Sequence, residues 1–169
     1  MLAFFVSSSL LSKKTTRNHR QVLANGGVAA LAALAGSWIA FAGALGAATA
    51  DTWASEIGRH SRTPPRLITN GSPVPAGTDG GMTLLGTAGG VAGAAVIAAL
   101  AVALGPRAMG PGLAHPGWSA VVVAVAGVVG MLLDSLLGAT LQGKVRWVDN
   151  DAVNLAATLT GAACAVLIA

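Results

Sequence analysis

Four long apolar runs, at residues 23–50, 82–104, 118–142 and 152–169, are separated by short polar stretches. Each run approaches or exceeds the roughly 20 residues that an α-helix needs to cross a bilayer. Residues 1–12 are apolar but too short to cross, and their positive charges follow the run instead of preceding it. That order argues against a signal peptide, so the stretch reads as the tail of a helix or a partly inserted segment. The pattern predicts an all-α polytopic membrane helix bundle with four full spans plus a partial N-terminal span, all in one integral membrane domain over residues 1–169. The prolines and glycines of residues 64–81 argue against a regular element there.

Small residues recur at helical spacing within the runs: Gly36, Ala40, Gly43, Ala44 and Ala47 in the first, and Gly86, Gly90 and Gly93 in the second. Such faces let neighbouring backbones approach closely. Trp38 falls mid-span and is expected in the core, whereas Trp53, Trp118 and Trp147 fall near span ends, where an aromatic belt would place them.

Composition agrees with a membrane protein: 54% of the 169 residues are hydrophobic, 9% are charged, and the mean hydropathy is +0.70. The lipid bilayer is therefore the first partner, and a prokaryotic cytoplasmic membrane is the expected location. A net charge of +4 and an isoelectric point near 10.3 would point to nucleic acid in a soluble protein. Here the bases lie in short loops beside apolar runs, so topology and lipid headgroups account for them and no nucleic-acid partner is expected. The lone Cys164 excludes a disulfide framework and a thiolate metal site. No signal in the sequence sets an oligomeric state.

If the four spans alternate, the loops around 51–81 and 141–151 share one side, and those around 13–22 and 105–117 share the other. All six carboxylates (Asp51, Glu56, Asp79, Asp134, Asp149 and Asp151) then lie on or towards the first side. The Lys and Arg residues divide evenly and leave the orientation unset. Helical geometry groups the polar residues into three stripes. These are Asp51, Ser55 and Gly58; Gly127, Gly130, Asp134, Gly138 and Gln142; and Asn150, Asn154, Thr158 and Gly161. Turned inward, they would line a pocket near one membrane face. Its oxygen-rich, imidazole-poor donors suit Mg²⁺, above all where substrate phosphates complete the coordination.

The turn Gly77-Thr78-Asp79-Gly80-Gly81 precedes a helix, so its backbone N–H groups could receive a phosphate, although it is not a Walker motif. Arg59, Arg62 and Arg66 lie on the same side and could neutralise phosphate charge. His19, His60 and His115 fall in three separate loops and form no zinc or nucleophile set. Phosphoryl transfer needs mainly positioning and charge neutralisation, which this inventory permits.

Five blocks in order resemble a known family: residues 21–27, 50–58, 65–68 with 75–81, 133–142 and 149–154. The set resembles the integral-membrane family of transmembrane protein 19 and the plant phytyl-phosphate kinase, from about Phe4 to Gly161. The resemblance implies transfer of a phosphoryl group from a nucleoside triphosphate, CTP by analogy with the plant member, to a prenyl monophosphate. Asp51, Ser55, Glu56, Gly77, Thr78, Gly80, Gly81, Asp134, Ser135, Gln142, Asn150 and Asn154 match the shared blocks. In the resulting expectation Asp51, Asp134 and Glu56 are catalytic, with Mg²⁺ on Asp51 and Asp134. Arg66 and the Gly77 to Gly81 turn take phosphates, and Ser55, Ser135, Gln142, Asn150 and Asn154 complete the site. Glu56 lies roughly 140° around the helix from Asp51, which makes it the outlier of the set. The alternative is a transporter or carrier for a small or lipid-linked substrate, prompted by a faint echo between Asp51-Thr52 and Asp134-Ser135.

Overall fold

The computed structural model describes residues 19–109 and 115–169, so the expected partial span at residues 1–12 and most of the basic loop lie outside the described residues. Five helices follow in order: α1 (His19–Leu34), α2 (Trp38–Gly58), α3 (Leu84–Met109), α4 (Pro116–Thr140) and α5 (Asn150–Ile168). Between α2 and α3 lie two short strands, β1 (Arg66–Leu67) and β2 (Gly81–Met82). The protein is an all-α membrane bundle.

The span count differs from the expectation. Among the described residues three helices are long and apolar enough to cross a membrane, at Leu84–Gly105, Pro116–Thr140 and Asn150–Ile168. The first expected span, 23–50, is two helices meeting at Gly36, whose φ of +73° an L side chain rarely adopts. There Gly36 N–H donates to Ala33 (3.0 Å) and Ser37 N–H to Ala32 (2.9 Å), a double closure that uses up the last carbonyls of α1. The second helix then runs on through the acids to Gly58, because Arg59 N–H still bonds to Ser55 O at 3.2 Å.

This break reverses the chain. Arg20, at the start of α1, bonds to Asp149 at 3.0 Å and lies 3.6 Å from Asp151, while Thr158 Oγ1 donates to Ala24 O at 3.1 Å. Consequently α1 runs beside α5 in the same direction, and α1 and α2 form a hairpin. The sequence placed Arg20 on the side opposite the acids; it lies with them, because a chain that folds back at Gly36 returns to the side it came from.

The axis of the bundle is α2, which packs on all four other helices. A Cβ on Gly161 would sit 2.6 Å from Gly43 O, and one on Gly127 would sit 3.0 Å from the Gly46 carbonyl carbon. On the remaining side, a Cβ on Gly86 would meet Ala54 O at 2.6 Å and one on Gly90 would meet Ala50 O at 2.9 Å. These approaches follow from the small residues seen in the sequence, and in lipid they bring helices together by van der Waals packing. Large side chains such as Leu84, Leu100, Leu159 and Leu167 are left on the outside. Trp38 opens α2 instead of lying mid-span; its Nε1 donates to Ala101 O at 3.1 Å, and its ring stacks on Phe41. Trp53 is not a belt residue, for its ring packs on α3 opposite Gly93 and its Nε1 is buried.

Residues 64–81 contain more order than their composition implied. β1 and β2 pair antiparallel, with Arg66 opposite Met82 and Leu67 opposite Gly81, and Ile68 N–H donates to Gly80 O at 3.1 Å. Only two residues pair on each side, and Pro73 adds a single antiparallel bridge to Arg66.

Candidate functional site

A cavity of about 270 Å³ opens at the end of the bundle where α2 and α4 finish and α3 and α5 begin. From α2 come Asp51 and Ser55, with Arg59 one turn on; these follow at intervals of four and so share a face. From α4 come Asp134, Ser135 and Gly138, and beyond it Gln142. Asn150, at the first turn of α5, closes another wall.

The fourth wall is the turn at residues 76–81 together with the start of α3. Gly80, at φ +73°, rests against α4 so closely that a Cβ would lie 2.5 Å from Ser135 O. Thr78 N–H and Gly81 N–H are engaged within the turn, donating to Pro75 O (3.2 Å) and Thr78 O (3.0 Å). Those two groups are therefore held inside the turn. Thr83 instead caps α3, its Oγ1 accepting from Gly86 N–H at 3.0 Å, and Thr83 and Thr87 line the cavity.

The carboxyls of Asp51 and Asp134 face each other across the contact of α2 with α4. Asp134 Oδ2 is buried and has no hydrogen-bond partner. An orphaned carboxylate oxygen beside a second carboxyl, in an all-oxygen wall, fits a hard divalent cation. Among the described residues no three His, Cys, Asp or Glu side chains converge on one point. Two carboxylates plus substrate phosphates is the kind of coordination that Mg²⁺ adopts in phosphoryl-transfer sites.

Of the residues expected from the sequence, ten reach this cavity: Asp51, Ser55, Gly77, Thr78, Gly80, Gly81, Asp134, Ser135, Gln142 and Asn150. Three do not. Asn154 is buried one turn below Asn150, inside the bundle. Arg66 is turned to the loop, its guanidinium donating to Gly71 O at 2.8 Å. Glu56 is buried on another side of α2, where Oε2 accepts from Arg59 Nη1 at 2.9 Å. The sequence reading left out Asp79, Thr83 and Thr87 as site residues and gave Arg59 no precedence over Arg66. A signal existed for two of them: Arg59 continues the stripe of Asp51 and Ser55, and Thr83 is the hydroxyl residue directly before an apolar run.

Just outside the cavity, Asp149 caps α5 by accepting from Ala152 N–H at 3.0 Å. That bond, against an opposing desolvation effect and with help from the charge of Arg20, holds the Asp149 carboxyl below its ordinary value of 3.8. His19, His60 and His115 are exposed and away from the cavity.

Comparison with known proteins places this geometry in a family. An uncharacterized membrane protein of Methanocaldococcus jannaschii, MJ0933, is 35% identical over 99% of this chain and 74% of its own length. The membrane protein sll0875 of Synechocystis is 35% identical over 69% of this chain and 42% of its own. The chloroplastic protein VTE6 of Arabidopsis thaliana is 32% identical over 70% of this chain. The chain spans 34% of that plant relative's length, so the two share one region of a longer protein. No solved structure matches. With residues 1–162 matching the family described as integral membrane protein DUF92, the chain belongs to that family.

Proposed function

We propose that this protein is a membrane-embedded phosphotransferase that converts a prenyl monophosphate to its diphosphate with a nucleoside triphosphate, CTP by analogy with the plant kinase its motifs resemble. The observation that carries this reading is the facing pair Asp51 and Asp134 at the floor of a polar cavity at one end of an apolar bundle. Such a site admits a water-soluble nucleotide from the end while an apolar chain lies along the helices. Asp51 and Asp134 would hold Mg²⁺, which when bound supplies neutralisation of the phosphate charge.

The rest of the chemistry falls to the chain. The attacking group is a phosphate oxygen of the lipid, already anionic, so no general base is required and the solvated histidines are no obstacle. As it bonds to the terminal phosphorus of the nucleotide, the bond to the bridging oxygen breaks and the nucleoside diphosphate leaves. Ser55, Ser135, Gln142, Asn150 and the hydroxyls of Thr78, Thr83 and Thr87 offer hydrogen bonds that orient the two phosphates. The walls of α2 and α4 keep water from competing at the floor.

Purified protein in lipid nanodiscs, given a prenyl monophosphate, each nucleoside triphosphate and Mg²⁺, is expected to form the diphosphate. Asp134→Asn is expected to lower turnover by about a hundredfold to a thousandfold, on the scale of losing one electrostatic stabiliser, while the protein stays folded. Unchanged turnover in that variant would rule out the role given to Asp134. A carrier is the competing reading, because α2 and α4 run in parallel with their acids at one level. Carrier sites, however, form near the bilayer midplane, and this cavity lies at the helix ends. Nucleotide-independent flux into proteoliposomes would favour the carrier.

A further inference from the structure

We propose that Arg59 is the side chain that grips the phosphate groups entering this cavity, and that Glu56 is its positioning residue rather than a metal ligand. The inference rests on the phosphotransferase reading for the identity of the anion, and on the geometry for the residue.

Among the described residues that line the cavity, Arg59 is the sole Lys or Arg. It stands at the C-terminal end of α2, one turn beyond Ser55 and two beyond Asp51, so it lies nearer the end of the bundle than the acids. A cation there draws a phosphate in and offsets its repulsion from Asp51, Asp79 and Asp134. Arg66 does not line the cavity; its guanidinium reaches the loop at Gly71 O, 2.8 Å away.

Glu56 explains why Arg59 holds that place. The Glu56 side chain is 11% exposed, against 59% for Arg59, and the two meet at 2.9 Å through a single guanidinium nitrogen, Nη1. A buried, fixed carboxylate thus anchors one nitrogen of a largely exposed guanidinium, and the fork has further N–H donors for a ligand. An anchored arginine loses less freedom on binding phosphate than a mobile one. It also accounts for a motif glutamate that points away from the cavity: Glu56 acts through Arg59.

The test uses the full chain in nanodiscs with a prenyl monophosphate, CTP and Mg²⁺. Arg59→Gln is expected to raise KM for a phosphorylated substrate about tenfold or more, as for a lost hydrogen bond to a charged group, with Arg59→Lys intermediate. Glu56→Gln should raise the same KM by a smaller factor with little change in kcat, and add nothing in the Arg59→Gln background. Arg62→Gln, outside the cavity, controls for loss of one nearby charge. Wild-type turnover with an unaltered KM in Arg59→Gln overturns the proposal and leaves the kinase reading intact. An additive effect of Glu56→Gln in the double variant overturns the positioning role. If the wild type shows no turnover, the kinase reading fails, and binding of inorganic pyrophosphate by calorimetry decides the matter for Arg59. Binding that Arg59→Gln weakens tenfold supports the assignment, whereas equal binding by both proteins, or none by the wild type, overturns it.

Discussion

Asp149 has two partners at the start of α5, capping the helix through Ala152 N–H and meeting Arg20 of α1. Because its folded carboxyl is held below the ordinary value of 3.8, the stability it confers is fully present above that pH and is lost as pH falls through the lower folded value. Melting curves taken from pH 6 downward should show a decline below about pH 4 that is shallower in Asp149→Asn. The asparagine can still cap, so this variant separates the cap from the charge. Gly36 offers a second test at single-residue resolution. No atom lies within 4 Å of a Cβ there, so Gly36→Ala should cost only the backbone penalty of the left-handed region, about 1–2 kcal/mol. Gly27, equally open but with ordinary helical φ, should behave oppositely: Gly27→Ala is expected to raise stability by about 0.5–1 kcal/mol. Thermal melts in one detergent compare the pair directly.

Among the elements, α2 decides how far the site could be read from sequence. Its stripe of Asp51 and Ser55 was legible because spacing of four fixes a face whatever the surroundings, and the same logic flagged Glu56 as the outlier. The break at Gly36 was not legible. Residues 23–50 form one uninterrupted apolar run, and a Gly-Ser pair within it reads equally well as a close-packing face. Only hydrogen bonds from Gly36 and Ser37 back to Ala33 and Ala32 distinguish a stop from a contact. For Arg59 against Arg66 the sequence held half the answer: Arg59 continues the stripe of Asp51 and Ser55, while only the fold of the loop turns Arg66 to Gly71. By contrast α3, α4 and α5 begin and end within a few residues of their expected limits, because their polar flanks are sharp.

For the whole molecule, the hairpin of α1 and α2 redistributes the charges. Arg20, Arg59, Arg62, Arg66, Lys144 and Arg146 all belong to the cavity end, while Arg107, in the last turn of α3, belongs to the other. The even division expected from sequence depended on Arg20 lying opposite the acids. Among the described residues the count favours the cavity end, so the positive-inside rule predicts a cavity that faces the cytoplasm, where nucleoside triphosphates are found. A cysteine placed at exposed Ser72, with Cys164 replaced by alanine, should react with a membrane-impermeant maleimide in inverted vesicles and not in intact cells. Labelling in intact cells would reverse the orientation and remove the cytoplasmic supply of nucleotide from the proposed reaction.

The enclosure of α2 by four other helices also bears on how the chain enters the membrane. Asp51 and Glu56 make α2 a poor candidate for lateral release into lipid, since ionisable side chains within an inserted helix are costly. The surfaces that shelter Asp51 are on α3, α4 and α5, which the ribosome makes later, so α2 must wait at the insertion machinery or its margin until they arrive. Biogenesis of this bundle is therefore a delayed assembly around its second helix. A chain interrupted before Asn150 would leave an acidic helix unsheltered, the form that membrane proteases and chaperones recognise.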